Sequence, residues 1–112
     1  MNQPALVTPA ARRDLREAVT WIARDNPAAA RRLRDALVSA AHRIGANPLV
    51  GAPRPRLADP HFRFLILPGF RYVAIYTAAR TPPRIVRVLH MARDLPALLA
   101  GQTHEPDRTP DD

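Results

Sequence analysis

Arg63, Arg71 and Arg87 lie in runs where apolar and polar residues alternate, with Tyr72 and His90 close by in sequence. Guanidinium is a planar fork that binds phosphates and carboxylates through two parallel hydrogen bonds. A phenol or an imidazole beside it supplies stacking or proton transfer. If the three arginines converge on one sheet face, the chemistry they offer is RNA cleavage. The arginines would hold the scissile phosphate, and His90 or Tyr72 would move protons. The plainer alternative is that these are solvated strand arginines and that His90 is a strand-end residue whose bonds are satisfied locally.

The overall charge favours a binding role for the arginines. All seventeen basic residues are arginine and none is lysine; the net charge is +7 and the pI about 11.5. Residues 1–100 hold sixteen arginines against six acids, whereas 101–112 hold four acids and one arginine. Six arginines (63, 71, 80, 84, 87 and 93) fall between Pro60 and Arg93 with no acid among them. Such a balance points to nucleic acid or to an acidic protein partner. The partner-binding candidates are Arg63, Arg71, Arg87 and Arg93. Trp21 joins them as a possible anchor, although its place beside an apolar helical stripe favours the core.

Other chemistries are poorly served. There are no cysteines, so disulfides, thiolate metal sites and cysteine nucleophiles are excluded. His42, His61, His90 and His104 show no metal-ligand spacing. No GxSxG, Walker or GxGxxG motif occurs, and no cofactor is expected. Asp14, Glu17, Asp25 and Asp35 stand among helix arginines, where surface pairs along each helix are expected rather than an acid/base dyad. The sequence has no basic start leading into an apolar run, and no apolar stretch long enough to cross a bilayer. A soluble cytoplasmic protein is expected.

These residues need elements to position them. Ala5–Val7 suggests a short edge strand. Thr8-Pro9 reads as a cap and first helical residue. Leu15, Ala18, Val19 and Ile22 then recur at helical spacing. Asn26-Pro27 ends that helix and starts another, with Ala30, Leu33, Leu37, Ala40, Ala41 and Ile44 on one face and a stop near Gly45. An antiparallel helix hairpin follows. Residues 47–61, with four prolines, read as a stiff loop. Phe62–Leu67, Phe70–Thr77 and Arg84–His90 read as an antiparallel meander, with Pro68-Gly69 as a turn. Asp94-Leu95-Pro96 begins a short helix with Leu98 and Leu99, and an acidic tail, 101–112, is expected to be disordered. The expected class is α+β: one domain over 1–100, with an N-terminal strand, a helix hairpin on a meander and a short C-terminal helix. Both sheet faces carry apolar residues. The hairpin covers one, and a partner is expected to cover the other.

The motifs resemble those of a known family. Pro9–Leu15 (PAARRDL), Asn47–Gly51 (NPLVG), Phe70–Tyr76 (FRYVAIY) and Arg84–His90 (RIVRVLH) followed by Ala92-Arg93-Asp94 are similar, in order and spacing, to the motifs of RelE/ParE toxins, closer to ParE. The resemblance implies the toxin of a type II toxin–antitoxin pair, bound in a hetero-oligomer by an antitoxin of ribbon-helix-helix type through an acidic segment. The ParE branch implies inhibition of DNA gyrase without catalysis. The RelE branch implies a ribosome-dependent mRNA endoribonuclease, with His90, Arg63, Arg71, Arg87 and Tyr72 as the candidate set. A non-toxic basic interaction domain is the third possibility. The absence of lysine, and of a tyrosine near the C-terminus, departs from the RelE pattern.

Overall fold

The computed structural model describes residues 3–56 and 58–96. The elements are β1 (Leu6–Val7), α1 (Pro9–Ala23), α2 (Pro27–Ala46), β2 (Ala52–Pro53), β3 (Phe62–Ile66), β4 (Tyr72–Thr77) and β5 (Arg84–His90). The class is α+β, as the sequence suggests. Leu98, Leu99 and the acidic tail lie outside the described residues.

Both helix starts follow one rule. A side-chain oxygen accepts a free first-turn N–H, and proline occupies the first helical position, where no N–H is missed. Thr8 accepts from the Ala11 amide at 3.3 Å, and Asn26 from the Ala29 amide at 3.0 Å. The helix hairpin closes on small residues: Ala11 and Ala18 of α1, with Ala30, Ala40 and Ala41 of α2, are buried with Leu33, Leu37 and Ile44. α2 runs one residue past Gly45. That glycine does not end the helix. It gives room to the N-terminal segment, whose Gln3 carbonyl and Pro4 Cα would meet a Cβ there at 2.0 and 2.8 Å.

The sheet order is β1-β5-β4-β3-β2, with β1 parallel to β5 and all other pairs antiparallel. The proline-rich loop contributes β2, which its composition conceals. Pro53 is tolerated because β2 is an edge, where a missing N–H breaks no inner ladder. Pro68 and Gly69, the latter at φ +80°, turn β3 into β4.

Leu65, Leu67, Tyr72, Ala74, Tyr76, Ile85 and Val88 pack under the helices. Replacing a fully buried side chain such as Leu33 by alanine costs about 2–5 kcal/mol. The second sheet face differs from expectation. Phe64, Val73, Ile75 and Leu89 are buried there, and Ala58, Met91 and Leu95 of the same chain pack with them. The loop before β3 and the segment after β5 therefore help to cover a face expected to await a partner. The alternation read for β5 also fails midway. Ile75 pairs with Arg87 but Tyr76 with Ile85, so Val86 is an extra residue that shifts the phase. Ile85 and Val88 consequently share the helix side, while Val86 and Leu89 face away.

Candidate functional site

Asp14, Glu17, Ala18 and Trp21 recur at three- and four-residue steps, which places them on one flank of α1. That flank runs along β5 and forms one wall of a groove of about 550 Å³. Arg87, Val88, Leu89, Tyr72, Arg93 and Asp94 complete the lining.

Asp14 joins the two walls. Its Oδ2 accepts Arg87 Nε–H at 2.7 Å and the Val88 amide at 2.9 Å, and its Oδ1 accepts Arg87 Nη2–H at 3.1 Å. The carboxylate is thus bonded across to the sheet, not paired along its own helix as expected. The hydrogen bonds that Arg87 donates to Asp14 raise the Arg87 pKa above its ordinary value. The Val88 amide is left for Asp14 because β1 is only two residues long and pairs no further along β5 than Ile85.

A second carboxylate treats the next outward amide in the same way. Asp94 Oδ2 accepts the His90 amide at 2.7 Å, and the Asp94 amide donates to the His90 carbonyl. Arg93 bonds to both Asp94 oxygens, at 2.9 and 3.3 Å. The Arg93 guanidinium, opposed by burial and helped by the His90 amide, holds the Asp94 carboxyl below its ordinary value of 3.8. Arg93 is in turn raised, first by Asp94 and less by the Tyr72 hydroxyl. The His90 ring lies edge-on to Tyr72, with centroids 5.1 Å apart, and its Nδ1 accepts the Arg93 amide at 3.1 Å.

The structure gathers Arg87, Arg93, Tyr72, His90 and Trp21 around this groove and leaves Arg63 and Arg71 out of its lining. Arg71 is exposed just before β4. Arg63 donates to the carbonyls of Gly51 at 2.6 Å and Leu49 at 3.4 Å. The three strand arginines therefore do not form one phosphate clamp. Facing Arg87 and Arg93 in the groove are three carboxylates, Asp14, Glu17 and Asp94. Trp21 is not core: 60% of it is exposed, and the Arg24 guanidinium lies 5.1 Å from its ring centre.

Sequence reasoning missed Asp14 and Asp94 as site residues. Their signal was weak, an acid in the opening of α1 and an Arg-Asp pair after β5, and their partners are 73 residues away or in the backbone. It also missed the outer face of the helix hairpin. There Leu15 and Val19 line a groove of about 390 Å³ with Thr20, Arg12, Arg16 and Arg34, and no acid takes part. Trp21 stands at its end, beside Arg16, Thr20 and Arg24.

Among the described residues no cluster of His, Asp or Glu fits a metal ion, and no helix is long and apolar enough to cross a membrane. A family model described as the ParE toxin of the type II toxin-antitoxin system, parDE, matches residues 5–95. No curated protein matches the chain.

Proposed function

The chain belongs to the ParE toxin family of type II toxin–antitoxin systems, and on that premise we propose that it inhibits DNA gyrase by binding, without catalysing a reaction. The family carries with it an antitoxin protein as partner. The observation that supports a non-catalytic toxin is the occupation of the candidate ribonuclease set. Arg87 is held by Asp14, Arg63 by two loop carbonyls, and His90 Nδ1 by the Arg93 amide. A phosphate-cleaving centre needs such groups free and convergent.

The antitoxin's acidic, amphipathic segment suits the outer face of the helix hairpin. Leu15 and Val19 offer apolar contact, Arg12, Arg16 and Arg34 offer charge, and Trp21 is the aromatic anchor. Arg87 and Arg93 join this interface only by exchanging their own carboxylates for the partner's. Affinity falls only partly with added salt, because apolar burial is insensitive to screening.

Supercoiling by purified gyrase, titrated with the protein, tests the target. Inhibition near stoichiometry is expected, and none at large excess would sink the gyrase reading. Mapping of mRNA ends after induction tests the alternative. Cleavage that disappears in His90→Ala would replace this proposal with a ribonuclease.

A further inference from the structure

The segment from Asn47 to Gly51 sits at the end of α2 and is bonded almost atom by atom. The Asn47 side chain accepts the Leu49 amide at 3.2 Å, and its carbonyl accepts the Val50 amide at 2.9 Å. The fully buried Tyr76 hydroxyl donates to the Pro48 carbonyl at 2.7 Å and accepts the Gly51 amide at 2.8 Å. Arg63 takes the carbonyls of Leu49 and Gly51. Gly51 is required by close approach, since a Cβ there would lie 2.7 Å from the Tyr76 ring. Val50 turns inward and packs on the core. Leu49 turns outward and is 65% exposed, the highest value among the exposed large apolar residues.

A single exposed leucine is ordinary. A leucine whose backbone is held by a buried phenol and a guanidinium is preorganised, and preorganisation lowers the entropic cost of binding. Its surroundings are basic. No acid occurs between Asp35 and Asp59, whereas Arg43, Arg54 and Arg56 are exposed and Arg63 reaches the loop itself.

We propose that the Pro48–Gly51 loop is a rigid docking knob, whose Leu49 enters an apolar pocket rimmed by carboxylates on the protein that the toxin inhibits. This rests on the reading of the chain as a binding inhibitor of a protein target. It assigns target contact to the end of α2, separate from the helix face assigned to the antitoxin.

The test compares Leu49→Glu and Leu49→Ser with Val38→Ser, a change at an exposed apolar residue on α2. Thermal melts confirm that all three fold. Inhibition of purified gyrase is titrated, and growth is followed after induction in a bacterial host. Both Leu49 variants are expected to need about thirty-fold more protein for half inhibition, as for an interface anchor, while Val38→Ser matches the wild type. The double variant Arg54→Glu/Arg56→Glu is expected to lose about tenfold; no loss would overturn the acidic rim. Undiminished inhibition by Leu49→Glu would overturn the knob and leave the gyrase reading standing. If the wild type spares gyrase but arrests growth, the gyrase reading fails and growth judges the knob. Restored growth with Leu49→Glu supports it, and continued arrest overturns it. A wild type that does neither removes the target and the knob together.

Discussion

Arg63 and Arg87 stand on strands of one sheet, and neither is left free, but they do different work. Arg63 joins Tyr76 in holding a loop through neutral carbonyls and an amide, around a phenol with no exposed surface. Arg87 ties α1 to β5 through an ion pair in which its own side chain is 46% exposed. The loop is a fixed display. The groove is a set of charge pairs that water and a partner's carboxylates can reach. Stripping the buried phenol of its partners is costly because they are left unsatisfied. The Arg87 guanidinium, about half exposed, can change partner more cheaply, while Asp14, 12% exposed, keeps the Val88 amide.

Breaking the loop should have the largest effect. Tyr76→Phe removes one donor and one acceptor from buried or half-buried backbone groups and is expected to lower stability by about 3 kcal/mol, read by urea denaturation. A loss below about 1 kcal/mol would show that the loop is not held as described. Next is Trp21→Ala, expected to weaken antitoxin binding by about 2 kcal/mol with little change in melting temperature, by calorimetry. A large stability loss with unchanged binding would return Trp21 to a structural role. Asp14→Asn keeps an acceptor for the Val88 amide and loses the charge. It is expected to cost about 1 kcal/mol or less, with the deficit shrinking as salt rises.

The smallest effects are in pH, and they separate the two regions by sign. The lowered Asp94 carboxyl adds stability that is complete above its ordinary value of 3.8 and is lost as pH falls through the folded value. Burial raises the Tyr76 phenol above its ordinary value of 10.0. Its contribution is complete below pH 10 and is lost as pH rises through the folded value. Acid should therefore loosen the groove first and alkali the loop. Trp21, the one tryptophan and a groove residue, reports the former by fluorescence. Amide exchange at Gly51 reports the latter. Identical profiles at both sites would show that the regions melt as one.

Much of the fold was legible because local chemistry decides it. Thr8-Pro9 and Asn26-Pro27 each supply a capping oxygen and a first helical proline ahead of a run of helix formers, and the apolar spacing of Leu33, Leu37 and Ile44 names the buried face of α2. The site was less legible. Trp21 read as core because its helical phase borders the apolar stripe, yet α1 lies along the edge of the sheet and leaves the ring outside. Arg63, Arg71 and Arg87 read as one cluster because alternation within a strand does not say which face each phase takes. The register sets Arg63 beside Tyr76, on the helix side, and Arg87 beside Ile75, on the other.

By itself, the sequence of this chain determined its class, its helix caps, its basic character and the motif series that marks its family. Each of these is written in residues a few positions apart or in composition. Which arginines are free was decided only by tertiary structure. Asp14 meets Arg87 and Val88 from 73 and 74 residues away, and Tyr76 reaches Pro48 across 28. A charge or a hydroxyl has no assigned role until packing chooses its neighbour, and that choice turned three apparent phosphate ligands into a loop clamp, a helix–sheet tie and one exposed side chain.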